Sequence, residues 1–294
     1  MRVANSADSM PVAWNGLSLP VPASWRPARL GLHYLYFEDE DGPAFELKWR
    51  VGAGRAGLKA ALRGLAPTGG VTTGGELPRS WCAALDGFEL TPLSWSLDGR
   101  GGRGAALFCP ECGLVAVFQA FGDGEGPDAA RCDRVGEALA GLRHHDPGPP
   151  AFRLYGLSFV APSGFALTGF EFVPGRFSLA FAAGDRRLDV VRLAPADVLL
   201  GRGALGDVAA HAFGLEERCD RQAGALRGCP AVWLARRQGR GLLDGVARWL
   251  GRQGLLAVLR HDAATNKLLG AALRARRPVE RDWLEKTAAG CVSL

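Results

Sequence analysis

The chain writes one pattern twice. Gly16-Leu17-Ser18-Leu19, followed by Pro22 and Trp25, returns as Gly156-Leu157-Ser158-Phe159, followed by Pro162 and Phe165, at a constant spacing of 140 residues. A repeat of that length constrains the fold more than any short motif does, because each copy must bury its own apolar face. The 294 residues then fall into two segments of ordinary domain size, each long enough for a core of its own.

The rest of each copy can be read in parallel. Residues 45–51 (FELKWRV) and 188–193 (LDVVRL) have the alternation and β-branching of strands. A helical stretch follows in both: Leu58, Ala61, Leu62 and Leu65 share one helical face, and Val208, Ala209, Ala212 and Phe213 share another. Residues 90–97 match 231–237, with Trp95 opposite Trp233. Residues 105–108, a turn and 113–118 match 245–249, a turn and 254–259, which predicts a hairpin in each copy. Segments 129–142 and 266–276 space their apolar residues at three and four, which predicts a closing helix in each. His145-Asp146-Pro147-Gly148-Pro149-Pro150 is a stiff proline linker. The expected class is α+β: two tandem repeats, each an antiparallel sheet of about six strands with two helices packed on it. The expected boundaries are 1–146 for the first repeat, 147–150 for the linker and 151–294 for the second repeat.

The openings GLSLPVPASW and GLSFVAPSGF, taken with this element order, resemble the Mog1/PsbP/DcrB-like fold, and the resemblance covers both halves. It implies binding and accessory proteins without a shared catalytic site. It carries no functional residue onto this chain, because the matching positions are structural.

Charge is distributed unevenly between the copies. Residues 1–147 hold 14 Lys+Arg against 17 Asp+Glu, a net −3, whereas residues 148–294 hold 21 against 13, a net +8. A basic half attracts an acidic protein, an anionic surface or nucleic acid. Arg236, Arg237, Arg240, Arg248, Arg252 and Arg260, interleaved with Trp233 and Trp249, could form a basic strand face with stacking aromatics. Trp233 aligns with Trp95 and Trp249 with Phe108, as core positions would. The expected partner is therefore another, acidic protein rather than nucleic acid, with Arg236, Arg237, Arg240 and Arg252 as its contacts. The opening MRVANSADSMPVAW lacks the apolar core of a secretory signal, and no long apolar run suits a membrane. Seven cysteines without a dense framework read as reduced thiols in a cytoplasm.

The sharpest chemical signal is Cys109-Pro110-Glu111-Cys112-Gly113. Two thiols two residues apart at a tight turn have the form of a zinc knuckle. A knuckle gives two of four ligands; no second CxxC exists, and His144 and His145 could complete the set only if the neighbouring helix folded back. Three readings stand: a plain hairpin corner, a metal site at Cys109 and Cys112 with zinc as its ion, and a redox pair. A redox CxxC normally sits at a helix start, and this one joins strands. Gly52-Ala53-Gly54-Arg55-Ala56-Gly57 has the form GxGxxG, but no acid-ended second parallel strand follows, so the glycines read as a turn into a helix. Glu38-Asp39-Glu40-Asp41-Gly42 reads as a solvated hairpin loop rather than a calcium site. No GxSxG or HExxH is present. The functional expectation is a noncatalytic accessory or adaptor protein, with a metal or redox protein built on Cys109 and Cys112, or a nucleic-acid-binding second domain, as the alternatives.

Overall fold

The computed structural model describes residues 9–65, 71–124, 126–145, 148–215, 219–236, 254–277 and 279–294. The chain divides into two compact units, Met1–Pro147 and Gly148–Leu294. Strands make up 52% of the described residues and helices 20%, so the class is mainly β. The expected α+β repeat of about six strands with two helices is thereby corrected: each unit holds a seven-stranded antiparallel sheet and a smaller antiparallel element.

In the first unit, β1 (Ser9–Trp14) and β2 (Leu17–Pro22) form a hairpin. The sheet holds β3 (Arg26–Gly31), β4 (Tyr34–Asp39), β5 (Gly42–Arg50), β6 (Val71–Thr73), β7 (Glu89–Leu97), β8 (Arg100–Phe108) and β9 (Val115–Asp123), in the order β3-β4-β5-β9-β8-β7-β6. Two-residue turns set the hairpins. Asn15-Gly16 and Asp98-Gly99 both place two successive residues at positive φ, the type I′ geometry that matches strand twist. Among the described residues the unit's helices are α1 (Gly54–Leu65), α2 (Arg79–Ala84) and α3 (Ala129–Ala140). Asp128 caps α3 by accepting a hydrogen bond from the Arg131 amide at 2.7 Å.

One face of this sheet carries Phe37, Phe45 and Phe118, packed with Trp25 and Trp81; these five rings and Trp14 are all fully buried. Trp81 donates through Nε1 to the Cys132 carbonyl at 2.7 Å, which ties α2 to α3. Glu40 and Asp41 do turn the β4–β5 hairpin, but Asp39 is not solvated. Its carboxylate accepts both contacts of the Arg131 guanidinium, at 3.0 and 2.8 Å, with both side chains buried. This is a second correction, and a buried acid so close to a run of exposed ones has no signature in composition.

In the second unit, β10 (Ala151–Leu154), β11 (Leu157–Val160) and β19 (Val292–Ser293) form the smaller element. The sheet holds β12 (Ala166–Val173), β13 (Arg176–Ala183), β14 (Arg186–Leu193), β15 (Cys219–Leu226), β16 (Cys229–Arg236), β17 (Gly254–Asp262) and β18 (Lys267–Ala275). Its order is β12-β13-β14-β18-β17-β16-β15. Among the described residues its helices are α4 (Ala196–Leu200), α5 (Leu205–Ala212) and α6 (Arg281–Ala289). Ala209, Ala212 and Phe213 bury against Leu234, Leu259 and Leu268.

Segment 266–276 is thus strand β18 and not a closing helix; α6 follows it. The reason is burial. Leu268, Leu269, Ala271, Ala272 and Leu273 are all under 2% exposed, and a strand covered on both faces reads as a continuous apolar run, which periodicity cannot tell from a helix. The expected hairpin partner at 245–249 lies outside the described residues. Segment 254–259, expected opposite 113–118, opens β17, which holds the place in its sheet that β8 holds in the first.

Beyond α6, Cys291 is fully buried, and Arg260 donates to its carbonyl at 2.8 Å. Burial pushes this thiol from an ordinary 9.0 up to about 12, with the nearby Arg260 pulling weakly the other way. The folded chain therefore holds a proton that the unfolded chain loses between about pH 9 and 12. Its stabilising effect is complete below that window and is lost as pH rises through it, by about 1.4 kcal/mol per unit. Denaturant titrations at pH 9 and 10.5 should show a loss in the parent chain that is about 2 kcal/mol larger than in Cys291→Ala. Equal slopes would contradict the buried neutral thiol.

Candidate metal centre

The corner between β8 and β9 is built by its backbone. The Cys109 amide donates to the Leu114 carbonyl at 2.9 Å, the Gly113 amide donates to the Cys109 carbonyl at 3.0 Å, and Gly113 takes a φ of +71°. The Gly113 carbonyl accepts from the Gly54 amide at 3.0 Å, which locks the corner to the first turn of α1. None of these bonds uses sulfur. The turn between β17 and β18, residues 263–266, occupies the same place in the second sheet and contains no thiol. There Asn266 takes positive φ and its carbonyl accepts from the Ala196 amide at the start of α4. Fold alone asks for a left-handed residue and a free carbonyl at this position; the two cysteines are additional.

The other donors arrive from the end of α3. Gly141 follows the helix so closely over β2 that a Cβ there would run into the ring of Pro20. Arg143 then pairs with Ser18 through two backbone bonds of 2.9 and 2.7 Å. This bridge fixes the direction of the next two residues. His144 lies 4.7 Å from the Phe88 ring and 3.9 Å from the His145 ring. The chain after α3 does fold back, and it brings His144 and His145 to Cys109 and Cys112. One ligand atom from each of the four lies within 4.8 Å of the other three.

The donor set suits a soft-to-borderline divalent ion. Zinc held tetrahedrally at about 2.3 Å from sulfur and 2.0–2.1 Å from nitrogen places ligand atoms roughly 3.3–3.8 Å apart. Cys109 Sγ and His145 Nε2 are 3.2 Å apart, so small side-chain rotations centre an ion. Cys109 is buried, while Cys112 and His144 are half-buried. His144 has a buried Nε2 with no hydrogen-bond partner. Burial, reinforced by the neighbouring His145, pushes His144 down to about 4, so it is the neutral imidazole that offers a lone pair. Burial pushes the Cys112 thiol up, opposite to the lowered pKa an attacking redox thiolate requires. A bound dication reverses that balance and deprotonates a coordinating thiol outright. Glu111 stands 3.7 Å from His145 Nε2 as an outer carboxylate.

The basic strand face is not assembled by the described residues. Arg236 ends β16, whereas Arg237, Arg240, Arg248 and Arg252 lie outside the described residues. Arg260 is buried and bonded to the Cys291 carbonyl. Trp233 is 3% exposed and covered by the Arg281 guanidinium at 4.4 Å, so its ring is not offered to bases. Gly52 and Gly54 both take positive φ at the β5–α1 junction, where they turn the chain.

A mainly β chain of two units, with a Cys2His2 donor cluster at a hairpin corner of the first, is the class that the fold and the site define. No protein-family profile and no curated protein matches the chain. Among solved structures it is similar to a Bacteroides thetaiotaomicron protein, at 12% identity over 53% of this chain and 55% of that one, with a TM-score of 0.34. It is also similar to the immunity protein TplEi of the Pseudomonas aeruginosa T6SS. The apo structure gives 11% identity over 98% of each chain and a TM-score of 0.35. The complex with "L" peptide gives 11% identity over 98% and 99%, with a TM-score of 0.37. At these scores the likenesses carry no argument about this chain. No helix among the described residues is long and apolar enough to cross a membrane.

Proposed function

We propose that the chain is a noncatalytic accessory protein whose first unit is organised by one zinc ion bound to Cys109, Cys112, His144 and His145. The observation that carries the reading is the convergence of four donors within 4.8 Å from two segments whose outer members, Cys109 and His145, are 36 residues apart in sequence. Four protein ligands close a tetrahedral ion, whereas catalytic zinc keeps a position open for water or substrate. The centre therefore serves the fold: it clamps the segment after α3 to the β8–β9 corner. The second half, with its net charge of +8, is the part that suits an acidic protein partner. Seven unpaired thiols among the described residues fit a reducing compartment such as the cytoplasm.

Elemental analysis tests the site. Purified protein, stripped with a chelator and reloaded, is expected to hold one zinc per chain, and Cys109→Ser and His144→Ala are each expected to lower retention at least tenfold. Cys229→Ser, a thiol in the second unit, should retain the full equivalent. Failure of the stripped parent chain to take up zinc at micromolar concentration would overturn the proposal.

A further inference from the structure

We propose that the first unit also carries a small-molecule site, independent of the zinc centre, that takes an organic carboxylate with an apolar body. The face of the sheet opposite the tryptophan core is not flat. Gly102, Gly104 and Ala106 leave β8 low on this face, and α1 stands beside it, so that a cavity of about 540 Å³ opens between the helix and the strands. That volume lies within the range of sites that enclose small ligands. Its apolar walls come from Val115 and Val117 of β9, Leu93 of β7, and Ala60 and Ala61 of α1.

A chain of hydrogen bonds links side chains of β4, β5, β9 and β7 at the polar end. Trp95 donates through Nε1 to Gln119 Oε1 at 2.7 Å, and Gln119 donates in turn to Glu46 Oε1. Tyr34 donates its hydroxyl to Glu46 Oε2 at 2.9 Å, and Lys48 Nζ reaches Glu46 Oε1 at 3.2 Å. Glu46 is only 6% exposed. A buried carboxylate is costly unless it is fully bonded, and this one is saturated by three donors, so it does not ask for a cationic ligand. The charged groups with capacity to spare are donors. Lys48 has ammonium protons beyond the one given to Glu46, and Arg50 brings a guanidinium to the rim. With one acid and two permanent cations the lining is net positive, and donors in excess of acceptors at one end of an apolar cavity select an anionic head on an apolar body.

The probe is 2-naphthoate, compared with 2-naphthalenemethanol and 2-naphthylmethylammonium, titrated into the zinc-loaded full chain by calorimetry. Naphthoate is expected to bind, with the alcohol at least tenfold weaker and the ammonium weaker still, since a charge-assisted hydrogen bond contributes about a factor of ten or more. Arg50→Ala and Lys48→Gln are both largely exposed changes that leave the core intact, and each should weaken naphthoate roughly tenfold. Val117→Phe fills the floor and should abolish binding while the thermal midpoint stays within a few degrees. Equal affinity for the alcohol or the ammonium, insensitivity to both charge variants, or no binding of naphthoate at millimolar concentration would each overturn the assignment. The zinc content is unaffected by these variants, so the outcome is separable from that of the metal centre.

Discussion

Replacing Arg131 by methionine is expected to cost the first unit about 3–5 kcal/mol, because it strips the partner from a buried carboxylate. The Arg131 and Asp39 side chains are 9% and 8% exposed, and the guanidinium meets both carboxylate oxygens. The same guanidinium donates to the Pro43 carbonyl at 2.6 Å and the Phe121 carbonyl at 3.3 Å. One side chain on α3 thus satisfies the β4–β5 hairpin and the end of β9 together. The methionine variant keeps the apolar stem but takes the guanidinium away from two carbonyls and from Asp39, whose carboxylate keeps only the 3.1 Å bond from the Asp41 amide. A second variant, Arg131→Met with Asp39→Leu, should recover much of the loss, since removing both charges avoids the uncompensated one. Urea unfolding followed by fluorescence, to which the buried Trp14, Trp25 and Trp81 contribute, reads both. A single-variant loss below about 1 kcal/mol would show that the pair is solvated and not buried.

Removing zinc is expected to lower the thermal midpoint of the first unit by roughly 10 °C. An ion that binds only the folded state at a thousandfold excess over its dissociation constant adds about 4 kcal/mol, and each kcal/mol moves the midpoint of a unit this size by about 2–4 °C. Thermal scans of zinc-loaded and chelator-treated protein measure the shift, and Cys109→Ser should abolish it by making the two scans coincide. The backbone bonds of the corner persist without the ion, so the stripped unit should still fold, at its lower midpoint. A chelator-insensitive midpoint in the parent chain would contradict the clamp.

Much of the strand layout could be read from the chain, for a physical reason. Asn15-Gly16 and Asp98-Gly99 fix hairpins locally, and the alternating FELKWRV of β5 shows which face it buries. Segment 266–276 was illegible because a strand buried on both faces has no alternation to show, and mistaking it for a helix shifted the match between the two hairpins by one strand. The candidate centre was half legible. Cys109 and Cys112 announce themselves by spacing, and the His144-His145 pair after an amphipathic helix is visible as a second donor group. Their meeting depends on Gly141 passing over Pro20 and on Arg143 pairing with Ser18, contacts between residues more than a hundred positions apart that no local pattern encodes. Asp39 and Arg260 show the converse. Both sit in sequences that read as solvated charge, and burial by distant elements gives each a structural partner.

The central claim is that four side chains from the two segments bind one ion. X-ray absorption at the zinc edge of the reloaded full chain reads the ligands directly. The account predicts two sulfur neighbours at about 2.3 Å and two imidazole nitrogens at about 2.0–2.1 Å. A first shell of oxygen and nitrogen without sulfur, or with a single sulfur, would contradict it.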